Sequence, residues 1–218
     1  MRQIEAIGFD LDGTLWNSTA PVLRAWQRIC RKDPRVKKIP QESDIRGIMG
    51  LTLEEIARRL FPDLSLEQGM EILEECCEEE RQEICRTGGQ LFEGLEDTLR
   101  ELSKDYPLYI VSNCHSGYIE AFLEYHRLGQ YFCDHEDYGT TYLPKGENIR
   151  LVMERNHWKN SIYIGDTEGD RKAALTAGIP FIHAAYGFGQ VQEASRRLQD
   201  IRELPGLLRS ADFLAQSE

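Results

Sequence analysis

The sequence predicts an α/β fold, a doubly wound parallel sheet interrupted near its start by an all-helical insertion. Three observations carry this reading. Short apolar runs near residues 4–9, 108–111, 161–164 and 180–183 read as buried strands with helical patterns between them. Residues 16–89, between the first two runs, keep a helical period with no strand signal. The polar residues Asp10, Asp12, Ser112 and Asp166 each fall where a strand is expected to stop. Parallel strands bring those ends to one edge of the sheet, where ligands bind in open α/β folds.

The bulk numbers fit such a fold. A chain of 218 residues with 41% hydrophobic and 29% charged residues buries a sizeable core. A net charge of −11 argues against nucleic acid or an anionic membrane surface as partners. It also repels phosphorylated ligands, so a phosphate site needs a local lysine, backbone N–H groups or a metal to reverse the sign. No leader segment and no membrane-length apolar run are visible. The six cysteines lack CxxC spacing, and Cys76 and Cys77 are adjacent on an expected helix, a poor geometry for mutual pairing. The expectation is a cytoplasmic protein with reduced thiols.

In chain order, the first strand ends at Phe9, and Asp12-Gly13 marks a sharp turn at which glycine supplies a positive φ. Asn17, Ser18 and Thr19 are cap-type residues, and Pro21 suits a first helical turn; Val22, Leu23, Trp26 and Ile29 then follow at helical spacing. A short helix is expected over 43–48. Thr52 with Glu55 and Ser65 with Gln68 are capping boxes opening helices to about 61 and 86. Met70, Leu73, Cys77 and Ile84 form the apolar stripe of the second, and the acids between 71 and 83 read as its solvated face. Gly88-Gly89 ends it. Beyond this come a helix over 94–104, the strand at 108–111, a helix over 117–126 and a weak strand near 132–133. A helix over 146–156, the strand at 161–164, a helix over 170–177 stopped by Gly178, and the strand at 180–183 follow. A flexible Tyr186-Gly187-Phe188-Gly189 loop and helical patterns near 192–198 and 206–214 close the chain. The expected division is a core of 1–15 and 90–218 with a helical domain over 16–89.

Two carboxylates one residue apart at a strand end motivate the hypothesis that Asp10 is a nucleophile and Asp12 its acid/base partner, with a metal between them. The alternative is a solvated acidic turn. Singly, Ser112 reads as a strand-end hydroxyl bonding its own backbone, Lys145 as a surface lysine, and Asp170 as a helix N-terminal acid. Their order and strand-end placement change that reading. Asp10-Leu11-Asp12-Gly13-Thr14, then Ser112-Asn113, then Lys145, then Gly165-Asp166-Thr167-Glu168-Gly169-Asp170 follow one another. Together with Phe92-Glu93-Gly94, Ala173-Ala174, Ala177-Gly178 and the Tyr186–Gly189 loop, these segments resemble the haloacid dehalogenase-like hydrolases. The similarity is to the phosphatase branch with a helical cap inserted after the first strand, and it covers nearly the whole chain.

The resemblance implies a Rossmann-like core and a Mg2+-dependent phosphatase working through an aspartyl-phosphate on a small phosphorylated metabolite. Asp10 is expected as nucleophile and Asp12 as proton carrier. Ser112, Asn113, Lys145 and the backbone around Gly13 are expected to hold the phosphoryl oxygens. Asp10, the Asp12 carbonyl and Asp166 are expected to ligate Mg2+, with Asp170 as a ligand or as support for one. Asp12 favours phosphate esters over halides, because a halide leaves without a proton. The similarity is to phosphoglycolate phosphatase-like enzymes, with Asn17 and the bulky Trp16 as departures at the cap hinge. Arg46 reads either as a contact for a substrate anion or as a surface salt bridge. Cys114 and His115 read as cleft-lining or as packing and capping residues. The alternatives are a β-phosphoglucomutase-type mutase and a non-catalytic phosphate-binding or regulatory protein on the same fold. The sequence gives no access to oligomeric state.

Overall fold

The computed structural model describes residues 4–210. The chain opens with strand β1 (Ala6–Phe9), a short β2 (Trp16–Asn17) and four helices, α1 (Thr19–Cys30), α2 (Glu42–Arg46), α3 (Leu53–Leu60) and α4 (Leu66–Thr87). It returns through β3 (Gln90–Leu91) to α5 (Leu95–Leu102), β4 (Leu108–Ser112), α6 (Tyr118–His126), β5 (Asp134–Asp137) and a single-turn α7 (Tyr138–Thr141). Helix α8 (Lys145–Arg155), β6 (Ser161–Gly165), α9 (Glu168–Ala177), β7 (Phe181–Ala184), β8 (Arg197–Leu198) and α10 (Leu204–Arg209) complete it.

Six strands form one parallel sheet in the order β5-β4-β1-β6-β7-β8. The doubly wound α/β sheet expected from the sequence is therefore present. Its winding reverses at β1, which lies between β4 and β6, so the carboxyl end of β1 is the topological switch point. The two-residue period sorts each strand's side chains onto two faces. Ile7, Phe9, Ile110 and Ile164 pack with Leu99 of α5 and Phe122 of α6. Ala6, Tyr109, Val111 and Tyr163 pack with Ile149 of α8 and Ala174 of α9. The same alternation carries Asp10 to the second face, under the start of α8.

Helices α1–α4 enclose an apolar core of their own, with Trp26, Ile45, Ile56 and Ile72 among its buried members. Both capping boxes form as expected, at Thr52 and at Ser65. The chain enters and leaves this helical segment through an antiparallel ribbon pairing Trp16 with Leu91 and Asn17 with Gln90. Trp16 is fully buried and meets Tyr118, Phe122 and His126 of α6 edge-on. Among the described residues no helix is long and apolar enough to cross a membrane.

The structure corrects four expectations. The acids of α4 are not all solvated: Glu80 and Glu83 are buried. Glu80 accepts a hydrogen bond from Trp26 Nε1, and Glu83 accepts from Arg24 Nε at 2.9 Å and Arg28 at 2.7 Å, and from Arg86. Their partners lie mainly on α1, where the period of α4 alone cannot reveal them. The weak strand lies at Asp134–Asp137, not 132–133; it is a polar edge strand whose acids are held by Arg155. Residues 192–198 form no helix; Leu198 accepts from Ala185 in a short parallel pairing, and Arg197 bonds the carbonyls of Val191 and Gln192. The last helix spans Leu204–Arg209, with Pro205 in its first turn; the rest of its expected span, 211–214, lies outside the described residues.

The Glu83 cluster yields a pH prediction. Burial pushes its carboxyl up, but hydrogen bonds from Arg28, Arg24 and Arg86 outweigh this and hold it at about 2, against 4.5 for a free side chain. A depressed folded-state pKa stabilises above the unfolded value and loses that contribution as pH falls. Glu83→Gln should lower unfolding free energy by about 1–2 kcal/mol at pH 7, discounted for the exposure of the arginines. In urea titrations the deficit should shrink from pH 4.5 toward 2.

Candidate active site

The expected residues converge at the carboxyl ends of β1, β4 and β6. Asp10 follows β1 directly, and its backbone N–H bonds the Ile164 carbonyl at 2.8 Å, so its position is fixed by the sheet. Lys145, the first residue of α8, is buried and donates to Asp10 Oδ1 at 2.7 Å and to Asp170 Oδ1 at 2.6 Å. Asp170, on α9, turns its other oxygen back on the helix start: Oδ2 accepts from Thr167 N at 2.9 Å and Thr167 Oγ1 at 2.6 Å. Both Asp170 oxygens are therefore engaged, which favours support of the site over direct ligation.

Asp166 is arranged differently. Its Oδ2 accepts the N–H groups of Phe188 at 2.7 Å and Gly189 at 3.0 Å, whereas its buried Oδ1 has no partner. The Tyr186–Gly189 segment expected to be flexible is thus tied to the site, and Tyr186 also donates to the Thr14 carbonyl at 2.9 Å. Burial and then Asp170 push the Asp166 carboxyl up to about 7. Gly13 is required at its position, with φ at +85° and a hypothetical Cβ 2.4 Å from Asp166 Oδ2.

Oxygens of Asp10, Asp166 and Asp170 lie within 4.8 Å of one another. Three buried carboxylates face one lysine, so full ionisation of the cluster leaves two negative charges without a counter-charge in low dielectric. Burial, Asp170 and Asp166 all push the Asp10 pKa up, with Lys145 opposing. Burial opposes charge on Lys145, but Asp10 and Asp170 outweigh it and keep the ammonium protonated. An oxygen-only donor set, an orphaned carboxylate oxygen and a deficit of two charges fit a hard divalent cation, with Asp10 and Asp166 as its side-chain ligands.

Asp12 points away from this cluster. Its Oδ1 accepts from Tyr118 Oη at 3.0 Å and from Ser18 Oγ. Ser18 is the N-cap of α1 by position, but its hydroxyl serves Asp12 and caps nothing. Burial raises the Asp12 pKa against these two donors. Ser112, at the end of β4, is buried beside the site. Asn113 donates to the Gly50 carbonyl at 2.9 Å, so the helical segment is closed against the sheet here. Cys114 and His115 line the resulting cleft together with Asp10, Asp12 and Ser112.

Arg46 is not brought in. It pairs with Glu42 at 2.9 Å on the outer surface of α2, half exposed, and does not line the cleft. The reading of Arg46 as a contact for a substrate anion gives way to the surface ion pair. Sequence reasoning missed two cleft residues, Tyr118 (inside a helix with no distinguishing spacing) and Glu80 (hidden in an acidic run), and the buried Ser18 behind Asp12 (read as a cap).

With this geometry in hand, the comparisons with known proteins are decisive on family. A family profile described as haloacid dehalogenase-like hydrolase matches residues 7–184. The chain belongs to that family. A phosphoglycolate phosphatase of Vibrio parahaemolyticus is 26% identical over 213 residues, covering 89% of each chain. The phosphoglycolate phosphatase of Escherichia coli K12 is 25% identical over 210 residues, covering 86% of this chain and 83% of its own. Among solved structures, a haloacid dehalogenase-like hydrolase from Streptococcus pneumoniae superposes with a TM-score of 0.82 at 26% identity, covering 94% of this chain and 99% of its own.

The cation fit gives a direct binding test. At a hundredfold excess over Kd, Mg2+ should raise the melting temperature by about 5–10 °C. Asp166→Asn, which removes one charge and keeps the shape, should reduce the rise to about 1 °C. An equal rise in both proteins would place the cation elsewhere.

Proposed function

We propose that this hydrolase is a Mg2+-dependent phosphomonoesterase acting on a small phosphorylated metabolite, with residues 16–89 as a cap over a core of 1–15 and 90–218. The observation that carries the reading is the buried Lys145 bridging Asp10 and Asp170 beside the unpaired Asp166 oxygen. A lone lysine would satisfy an ordinary buried ion pair. Here one carboxylate oxygen and two negative charges remain over, which is the complement of a divalent cation and a phosphoryl group.

Bound between Asp10 and Asp166, Mg2+ would supply the positive charge that lets two anions meet. In the proposed first step an Asp10 oxygen attacks phosphorus, the P–O ester bond breaks, and Asp12 gives its proton to the departing alcohol. The raised Asp12 pKa supports a retained proton, and the Tyr118 and Ser18 hydroxyls stabilise the carboxylate left behind. In the second step Asp12 takes a proton from water as the water oxygen attacks the aspartyl-phosphate. The P–O bond to Asp10 breaks and phosphate leaves. Lys145, Ser112 and the N–H groups of the Gly13 turn would hold the phosphoryl oxygens. Closure of the cap onto Asn113 would exclude bulk water during both steps.

The reading extends to the relatives' chemistry at the level of the phosphate ester. Their printed substrate, phosphoglycolate, is one candidate for this chain. A mutase needs the same core residues, and no feature of the cleft singles out that reaction. A purely regulatory role is disfavoured because the proton carrier, lysine and distal acids are all present and assembled.

Hydrolysis of p-nitrophenyl phosphate tests the proposal. Asp10→Asn should lower kcat to below about 1% of wild type, since it removes the nucleophile. Asp12→Asn should cost about 10²–10⁴-fold on alkyl phosphates, whose alkoxide must be protonated. The initial burst with p-nitrophenyl phosphate, whose leaving group needs no proton, should survive that substitution. Equal rates for wild type and Asp10→Asn would contradict the nucleophile assignment.

A further inference from the structure

The part of the cleft beyond the phosphoryl site lies between α4 and the loop after β4, and two acceptors that lack donors line it. Asn113 donates one Nδ2 hydrogen to the Gly50 carbonyl, which orients its Oδ1 as an acceptor; that oxygen is buried and has no partner. His115 Nδ1 lies 3.0 Å from the Ser116 carbonyl and donates to it, so the neutral ring presents a bare lone pair at Nε2. That nitrogen is also buried without a partner. Burial lowers the His115 pKa, which keeps the ring neutral.

Glu80 of α4 lines the same cleft, and its Oε2 takes the Trp26 indole N–H. Ligand atoms of Glu80, His115 and Cys77 lie within 4.8 Å of one another across the boundary between the helical segment and the sheet. Burial, reinforced by Asp12, pushes the Glu80 carboxyl up to about 8. Among the described residues lining this cleft none is lysine or arginine; the remainder are largely apolar, Val22, Ile48 and Leu53 among them. Lys145 is already engaged by Asp10 and Asp170.

A buried acceptor without a donor costs roughly 1–3 kcal/mol, and a ligand supplying the donor recovers it. A ligand carboxylate in the same place meets the bare acceptors Asn113 Oδ1 and His115 Nε2, with no cation to offset its desolvation. We infer that the alcohol portion of the substrate carries hydrogen-bond donors, as hydroxyl or ammonium groups, and no carboxylate, with His115 and Asn113 as the residues that select it. This rests on the phosphatase reading and deepens it: phosphoglycolate, the substrate named for the two relatives, is the wrong charge for this cleft.

The test uses near-isosteric esters as competitors of p-nitrophenyl phosphate hydrolysis, so that a slowly turned-over ester still yields a Ki. With Mg2+ present, 2-aminoethyl phosphate and glycerol 3-phosphate should each compete at least about tenfold better than phosphoglycolate. The comparison of the two donor-bearing esters separates ammonium from hydroxyl. His115→Phe, which removes one bare acceptor, should narrow the preference over phosphoglycolate to within about threefold. Phosphoglycolate competing as well as either donor-bearing ester would overturn the inference while leaving the phosphatase reading intact. A preference unchanged in that variant would overturn the assignment to His115. Failure of wild type to hydrolyse p-nitrophenyl phosphate would overturn the phosphatase reading, and this inference with it.

Discussion

The buried ammonium of Lys145, held at 2.7 Å from Asp10 and 2.6 Å from Asp170, is the interaction on which the rest of the site depends. Without it three carboxylates would converge in a dry pocket with no counter-charge. With it the cluster is still short of positive charge. Thr167 fixes Asp170 through a reciprocal capping arrangement, and Phe188 and Gly189 fix Asp166, so each acid enters the cluster at a set angle. Local backbone features, a helix cap and a loop, thus set the electrostatics of the centre.

The architecture explains why these groups meet. Reversal of strand order at β1 opens a crevice at its carboxyl end. The strand period sends Asp10 to the α8–α9 face, where a lysine at the first position of α8 reaches it and an acid in the first turn of α9 stands behind. Asp12, beyond the turn, is served by donors from α1 and α6 instead. One two-residue spacing therefore separates two carboxyl environments, a charged cluster and a hydroxyl-lined niche. These unequal environments support the unequal chemical roles proposed for the pair.

Much of this was legible in the sequence, for identifiable reasons. Asp10, Asp12 and Asp166 lie next to strand ends that apolar runs announce, and capping boxes at Thr52 and Ser65 declared their helices by local chemistry. Lys145 was legible only through its resemblance to a family pattern, because a lone lysine before a helix has no local signature. Tyr118, 106 positions from the Asp12 it serves, had none either. Glu80 and Glu83 were read as solvated because the period of α4 describes one helix, whereas their partners Trp26, Arg24 and Arg28 are on another. Arg46 failed for the same reason in reverse: the sequence shows a cation in the helical segment but not which way α2 turns it. Long-range packing, not propensity, decided each of these.

The central claim is that Asp10 becomes covalently phosphorylated, and trapping that species tests it most directly. Asp12→Asn should form the intermediate from p-nitrophenyl phosphate but hydrolyse it slowly, because the base for water is missing. Acid quenching, borohydride reduction of the acyl phosphate and peptide mass spectrometry should then find residue 10 converted to homoserine, with a matching burst of p-nitrophenolate. Residue 10 unmodified after such a burst, or the modification on another carboxylate, would contradict the account.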